Sequence, residues 1–166
     1  MPEATTLRRV ARDKRQGKSA GTQAGEFVRE EMEHIRAGKH GARSAKQAIA
    51  IGLSKARRAG VDLPPPKEGT VSEETRHSAE SAYRAGHTGA HDVSRTRSRA
   101  TRQALKREGH AAASKKALAR QAHSAATKKP ASARSAAARK AAATKGATGR
   151  SAAAKKAART RSRKAA

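Results

Sequence analysis

Between Gly109 and Ala166 the chain carries sixteen Lys or Arg and no Asp or Glu, and alanine fills most of the gaps. Runs such as Ser135-Ala-Ala-Ala-Arg139-Lys140 and Ser151-Ala-Ala-Ala-Lys155-Lys156 set dense positive charge on a good helix former with almost no apolar bulk. Such a segment has nothing to bury, so packing cannot fold it around a core. Its expected state is largely disordered, with transient helix, until a polyanion neutralises it.

The rest of the chain tells the same story more weakly. Net charge is +26, from 39 basic and 13 acidic residues. All 13 acids lie in residues 1–108, which net +10, while the last 58 residues net +16. Leu, Ile, Val and Phe together number 14 of 166 residues, far under the ~20% below which highly charged chains usually stay unfolded. The expected fold class is therefore mostly α: a short helical hairpin plus isolated basic helices, an intrinsically disordered Ala/Lys/Arg-rich C-terminal tail, and no compact full-length globule. The chain has no cysteine, which excludes disulfides and thiolate metal sites. No apolar run approaches the ~18 residues of a membrane span, and the N-terminus lacks a signal-peptide core. The basic segments also lack a Trp, Phe or Leu face to embed in lipid. The expectation is a cytoplasmic, nucleoid protein with no membrane partner.

Five segments follow one another. Residues 1–21 are a basic N-terminal segment, with a short helix expected over Arg8–Gln16. Residues 22–60 read as a helical hairpin. Ala24, Phe27, Val28, Met32 and Ile35 recur at three- and four-residue steps, with Glu26, Glu30 and Glu33 assigned largely to the opposite face. After a break at Lys39-His40, Ser44 followed by Gln47 fits a capping box. Ala45, Ala48, Ile49, Gly52, Leu53 and Ala56 then line one face, and Gly60 is placed to end the helix with Val61 packing after it. The apolar face of the hairpin is thus Phe27, Val28, Met32, Ile35, Ile49 and Leu53. So few large side chains predict a marginal hairpin, stabilised on DNA or by self-association. Residues 61–71 form a Pro-rich linker. Residues 72–108 are helical and basic towards their end, with Ser72 as a cap, Gly86 as a stop and a basic helix over Arg95–Glu108. Residues 109–166 form the histone-like basic tail, with one more helix over Ser114–Ala126.

No arrangement of residues suggests catalysis. His87-Thr-Gly-Ala-His91 has the spacing of two zinc ligands, but the partner cysteines are missing and two nearby glycines favour a solvated loop. Glu30 and His34, four apart on one helix face, read as an ordinary surface contact. Lys145-Gly-Ala-Thr-Gly-Arg-Ser151 lacks phosphate-loop spacing. The serines and threonines have no adjacent base. The chain is expected to be no enzyme, with no cofactor and no metal.

Two resemblances add to this reading. The block Lys46-Gln-Ala-Ile-Ala-Ile-Gly-Leu-Ser-Lys-Ala-Arg-Arg-Ala-Gly60, after Lys39-His40-Gly41, resembles that of an uncharacterised family of small basic bacterial proteins. Parts of Arg95–Ala126, such as Ala113-Ser-Lys-Lys-Ala-Leu118, resemble the same group. This resemblance implies no known activity. Residues 110–166 are similar in composition to linker-histone and bacterial histone-like tails, which implies polyanion binding. The winged-helix domain of linker histones has no counterpart in the chain.

The expected function is non-sequence-specific DNA binding by charge neutralisation, as a nucleoid-associated, histone-like architectural protein. The expected contacts are Lys115, Lys116, Arg120, Lys128, Lys129, Arg134, Arg139, Lys140, Lys145, Arg150, Lys155, Lys156, Arg159, Arg161, Arg163 and Lys164. Phe27 and Tyr83 are the only aromatics, so no platform for stacking single-stranded bases exists. Two alternatives stand beside this. One is an adaptor whose 22–60 hairpin grips a protein partner while the tail tethers it to DNA. The other is an RNA-binding or ribosome-associated protein, because phosphate contacts barely separate the two nucleic acids.

Overall fold

The computed structural model describes residues 2–89 and 94–165 of the chain. Their secondary structure is helical, with no strand among the described residues: α1 (Ala4–Arg15), α2 (Ala20–Arg36), α3 (Ala45–Arg58), α4 (Glu73–His87), α5 (Arg95–Arg107), a 3-10 turn (Ala111–Ala113), α6 (Lys115–Thr127) and α7 (Ala131–Ala165). They divide into two compact units, residues 1–121 and residues 122–166.

Serines open most of these helices. Ser19, Ser44, Ser72 and Ser94 each accept a hydrogen bond from the backbone N–H three residues on, at 3.2–3.4 Å, and Ser114 does the same for Ala117. The Gln47 side chain reaches back to the Arg43 N–H at 2.7 Å. Gly60, at φ 81, turns the chain out of α3, and Val61 follows it into the core.

The first unit is built on α2 and α3, with α1 packed on α2 and α4 on α3. Its core has two parts. Phe27 and Ala24 of α2 meet Ala56 and Val61, flanked by Val10, Leu53 and Leu63. Met32 and Ile35, a turn or two further along α2, meet Ala42, Ala48, Ala112 and Ala113, flanked by Val28, Ile49 and Leu118. The predicted hairpin face is therefore inward: Phe27, Met32 and Ile35 are buried, and Val28, Ile49 and Leu53 half-buried.

The expected absence of a globule is overturned, because alanine and glycine do much of the packing that large side chains usually do. A small residue lets two helices approach until backbone atoms touch, and dispersion contacts then come from the main chain itself. Gly86 does not stop α4, which continues to His87. It lies where α4 meets the carbonyl of Arg57, with no room for a Cβ. Arg57 folds inward as well, donating from Nε to the Leu63 carbonyl at 3.1 Å and from Nη2 to that of Pro64 at 3.3 Å. That clips the Pro-rich linker to the end of α3.

The segment after α5 also belongs to this unit. Gly41 N–H donates to the Leu105 carbonyl at 2.9 Å and Ala42 N–H to that of Gly109 at 3.1 Å. Arg36 Nε donates to the Ala113 carbonyl at 2.9 Å. Ala112 and Ala113 are consequently buried, although in sequence they belong to the alanine-rich tail.

The disordered tail is overturned too. Residues 131–165 are helical, interrupted at Gly146, where φ 65 and ψ 176 break the helix into two. Alanine has the best helix propensity, Lys and Arg follow closely, and no proline falls after Pro130. Local propensity is sufficient here without a buried face.

Candidate nucleic-acid interface

Lys115, Lys116 and Arg120 lie on α6, Lys128 and Lys129 between α6 and α7, and the others from Arg134 to Arg163 on α7, all exposed. The side chain of Lys164 lies outside the described residues, as does His91. The segment holds no carboxylate, so none of its charge is cancelled from within. Along α7 the cations point in all directions: at ~100° per residue, Arg134 and Lys145 share one side while Arg139 and Lys140 occupy others. Arg150 bridges the kink, donating from Nη1 to the Ala142 carbonyl at 2.8 Å. A rod charged all round can reach phosphates from any side but aims nothing at base edges.

The contact set expected from sequence begins at Lys115 and so leaves out α5. No residue of this helix is buried. Arg95, Arg99, Arg102 and Lys106 stand at steps of four, three and four, which places them within an arc of about 60° on one face. All four are exposed, while Ser98 and Leu105 on an adjoining side are half-buried. The stripe is ~16 Å long, longer than the ~12 Å width of a major groove. The helical spacing of these four residues is the signal in the sequence that marks them.

A second cluster, of opposite character, lies where α1, α2 and α3 meet. Glu30 and Glu31 are 2% and 1% exposed, not on a solvent face. Glu30 Oε2 accepts from the Glu3 N–H at 3.1 Å. Lys55 of α3 forms ion pairs with Glu31 Oε2 at 2.5 Å and Glu30 Oε1 at 3.8 Å, but among the described residues neither oxygen has a partner with hydrogen-bond geometry. The expected Glu30–His34 surface contact is replaced: His34 Nε2 meets Glu3 Oε1 at 2.8 Å, and Lys39 Nζ donates to the same oxygen at 2.9 Å. The bonds from His34 and Lys39, with the Lys39 charge, hold the Glu3 carboxyl down to about 2 from an ordinary 4.5. His40 Nε2 lies 3.2 Å from Glu31 Oε1. Glu31, His34 and His40 together offer three donor atoms within 4.8 Å of one another, the arrangement among the described residues that could hold a metal. Of the His87–His91 pair, His87 alone falls among the described residues, and it is helical rather than in the expected loop. His87 is on α4, stacked on Tyr83 at 4.0 Å, with Nδ1 2.8 Å from the Tyr83 carbonyl.

Residues 13–67 match a family of unknown function (DUF6496). The match spans α2, α3 and the loop between them, and takes in the Lys46–Gly60 block and every residue of the buried cluster except Glu3. No curated protein and no solved structure matches the chain. Among the described residues no helix is long and apolar enough to cross a membrane.

Proposed function

We propose that the protein binds duplex DNA without sequence preference, by neutralising phosphates with the cations of α6 and α7 and, in addition, with the Arg95–Lys106 stripe of α5. The observation that carries this reading is the acid-free segment of sixteen cations after Gly109. A surface that serves only solubility mixes both signs, and this one excludes one of them. The helices of that segment support the reading further. In α7 eleven cations fall between 131 and 165, about one per ~5 Å of helix, against one phosphate charge per ~1.7 Å of duplex. Such a helix neutralises about a third of the phosphates it spans, and release of their counterions drives association. On this reading the role is architectural and histone-like, in the nucleoid, with the histone likeness resting on composition alone.

Crosslinking in intact cells, capture of the full chain and separate digestion with DNase or RNase tests the proposal. DNA fragments without a shared motif are expected. Recovery of RNA alone, insensitive to DNase, overturns it in favour of the RNA-binding reading.

A further inference from the structure

His40 follows the turn at the end of α2, and its Nδ1 lies 3.0 Å from the carbonyl oxygen of Gly41. A carbonyl only accepts, so Nδ1 carries the hydrogen. In a neutral ring Nε2 is then a bare lone pair, and it faces Glu31 Oε1 at 3.2 Å. Two acceptors opposed in this way, one on a carboxylate that is 1% exposed, require something positive between them. The charges nearby make the same demand. Among the described residues Lys55 is the one Lys or Arg paired with the two buried carboxylates, Glu30 and Glu31. The C-terminal end of α2 adds the negative pole of its dipole. His34, three residues on from Glu31 along the helix, sets its ring edge-to-face with that of His40, centroids 6.2 Å apart.

We propose that Glu31, His34 and His40 bind a zinc-class divalent metal ion. Metal–nitrogen and metal–oxygen bonds of ~2.0–2.1 Å at tetrahedral angles put neighbouring donors ~3.3 Å apart. The His40–Glu31 pair already has that separation. The widest donor separation is at most 4.8 Å, so small side-chain adjustments bring the three donors to bonding distance. The Nδ1–H bond from His40 to a backbone carbonyl is the outer contact that fixes a ligating imidazole with Nε2 free for the ion. Two imidazoles and a carboxylate suit zinc and its first-row neighbours, whereas magnesium and calcium favour oxygen alone. Glu3, 2.8 Å from His34 Nε2, lies beside the three ligands as an outer contact, and the fourth position falls to water. The ion would join α2 to the loop that leads into α3, so its binding free energy adds to the stability of the first unit. The proposal is independent of the DNA-binding reading.

The test uses the full chain, stripped with a chelator and titrated with Zn2+ and with Co2+ as a spectroscopic probe. One ion per chain and a four-coordinate Co2+ spectrum are expected. Glu31→Gln and His40→Asn should each weaken Zn2+ binding at least ~10-fold, while His123→Asn, at an exposed position on α6, should leave it unchanged. Should either variant fail to fold, the unmodified chain still decides the matter. Saturating Zn2+ should shift the imidazole NMR signals of His34 and His40 together and raise the melting temperature by several degrees. Unchanged affinity in folded Glu31→Gln and His40→Asn overturns the proposal, as does the absence of any Zn2+-dependent shift at His34 and His40.

Discussion

A Cβ on Gly52 would lie 2.6 Å from the Cα of Val28, because α2 and α3 touch backbone to backbone at that point. Glycine in mid-helix normally costs about 1 kcal/mol relative to alanine, so Gly→Ala is usually stabilising. At Gly52 the added methyl meets main chain, which cannot turn aside, and overpacking of this kind costs about 1–3 kcal/mol. Gly52→Ala should therefore lower stability by a net of up to ~2 kcal/mol. Gly25, on the exposed side of α2, has nothing within 4 Å of where a methyl would sit, and Gly25→Ala should gain about 0.5–1 kcal/mol. Urea unfolding of both variants checks the pair. Equal effects would mean that α2 and α3 do not approach this closely.

Tyr83 of α4 donates its hydroxyl to Asp62 Oδ1 at 2.7 Å, across the linker that follows α3. This bond, then desolvation and the Asp62 charge, push the phenol up from its ordinary 10.0. A raised folded pKa means that the stabilisation is present below the unfolded value and is lost as pH rises through the folded one. The chain has a single tyrosine and no tryptophan, so tyrosinate absorbance reports this one group. Its midpoint should lie above 10, and Asp62→Asn should bring it back down. If the midpoint of the unmodified chain matches free tyrosine, α4 is not held to the linker in this way.

Where the tail begins decides whether the first unit survives its removal. Cutting after Glu108 removes Ala112, Ala113 and Leu118 from the core and the Arg36 bond to the Ala113 carbonyl. At ~0.8 kcal/mol per buried methylene and ~1.5 for a hydrogen bond to a charged donor, that is about 3–4 kcal/mol. Cutting after Gln121 removes none of these. Residues 1–121 should melt cooperatively near the temperature of the full chain, and residues 1–108 well below it, as followed by circular dichroism.

This boundary shows what the sequence could reveal. The caps at Ser44 and Ser72, the turn at Gly60 and the inward face of Phe27, Met32 and Ile35 were legible, because each is a local pattern with a local physical cause. The alanines on those faces, Ala24, Ala45, Ala48 and Ala56, were legible too and are buried, but Ala112 and Ala113 were not. They differ from tail alanines only in what they touch, and no hydrophobic period runs through them. Glu30 and Glu31 were hidden for a related reason. A carboxylate is ordinarily a surface group, and only the arrival of Lys55, His40 and the Glu3 N–H in space explains their burial. The tail charge was fully legible, while its helical order was not. The α5 stripe lay in plain spacing, but its four cations stand out less than the acid-free run that follows them.

The number of phosphates engaged should appear in the salt dependence of binding. Each phosphate neutralised on duplex DNA contributes about −0.9 to the slope of log K against log salt. If about half of the sixteen cations after Gly109 engage together, they contribute about −7 to the slope, and a seated α5 stripe adds up to about −3.6, with the same values on unrelated sequences. Exchanging the lysines of α7 for arginine at constant charge should scarcely change it, since cations pointing in all directions act as point charges rather than bidentate readers. Replacing Arg139, Lys140, Lys155 and Lys156 with alanine should make it shallower by about two if half of such sites are engaged at any moment. Alanine at Arg95, Arg99, Arg102 and Lys106 separates the two surfaces. Because these four share one face of α5, they engage together or not at all, so their loss should reduce the slope by up to about 3.6 if the stripe seats on the duplex. No change there would confine DNA contact to α6 and α7. A slope near −2 for the full chain would reject distributed charge neutralisation altogether.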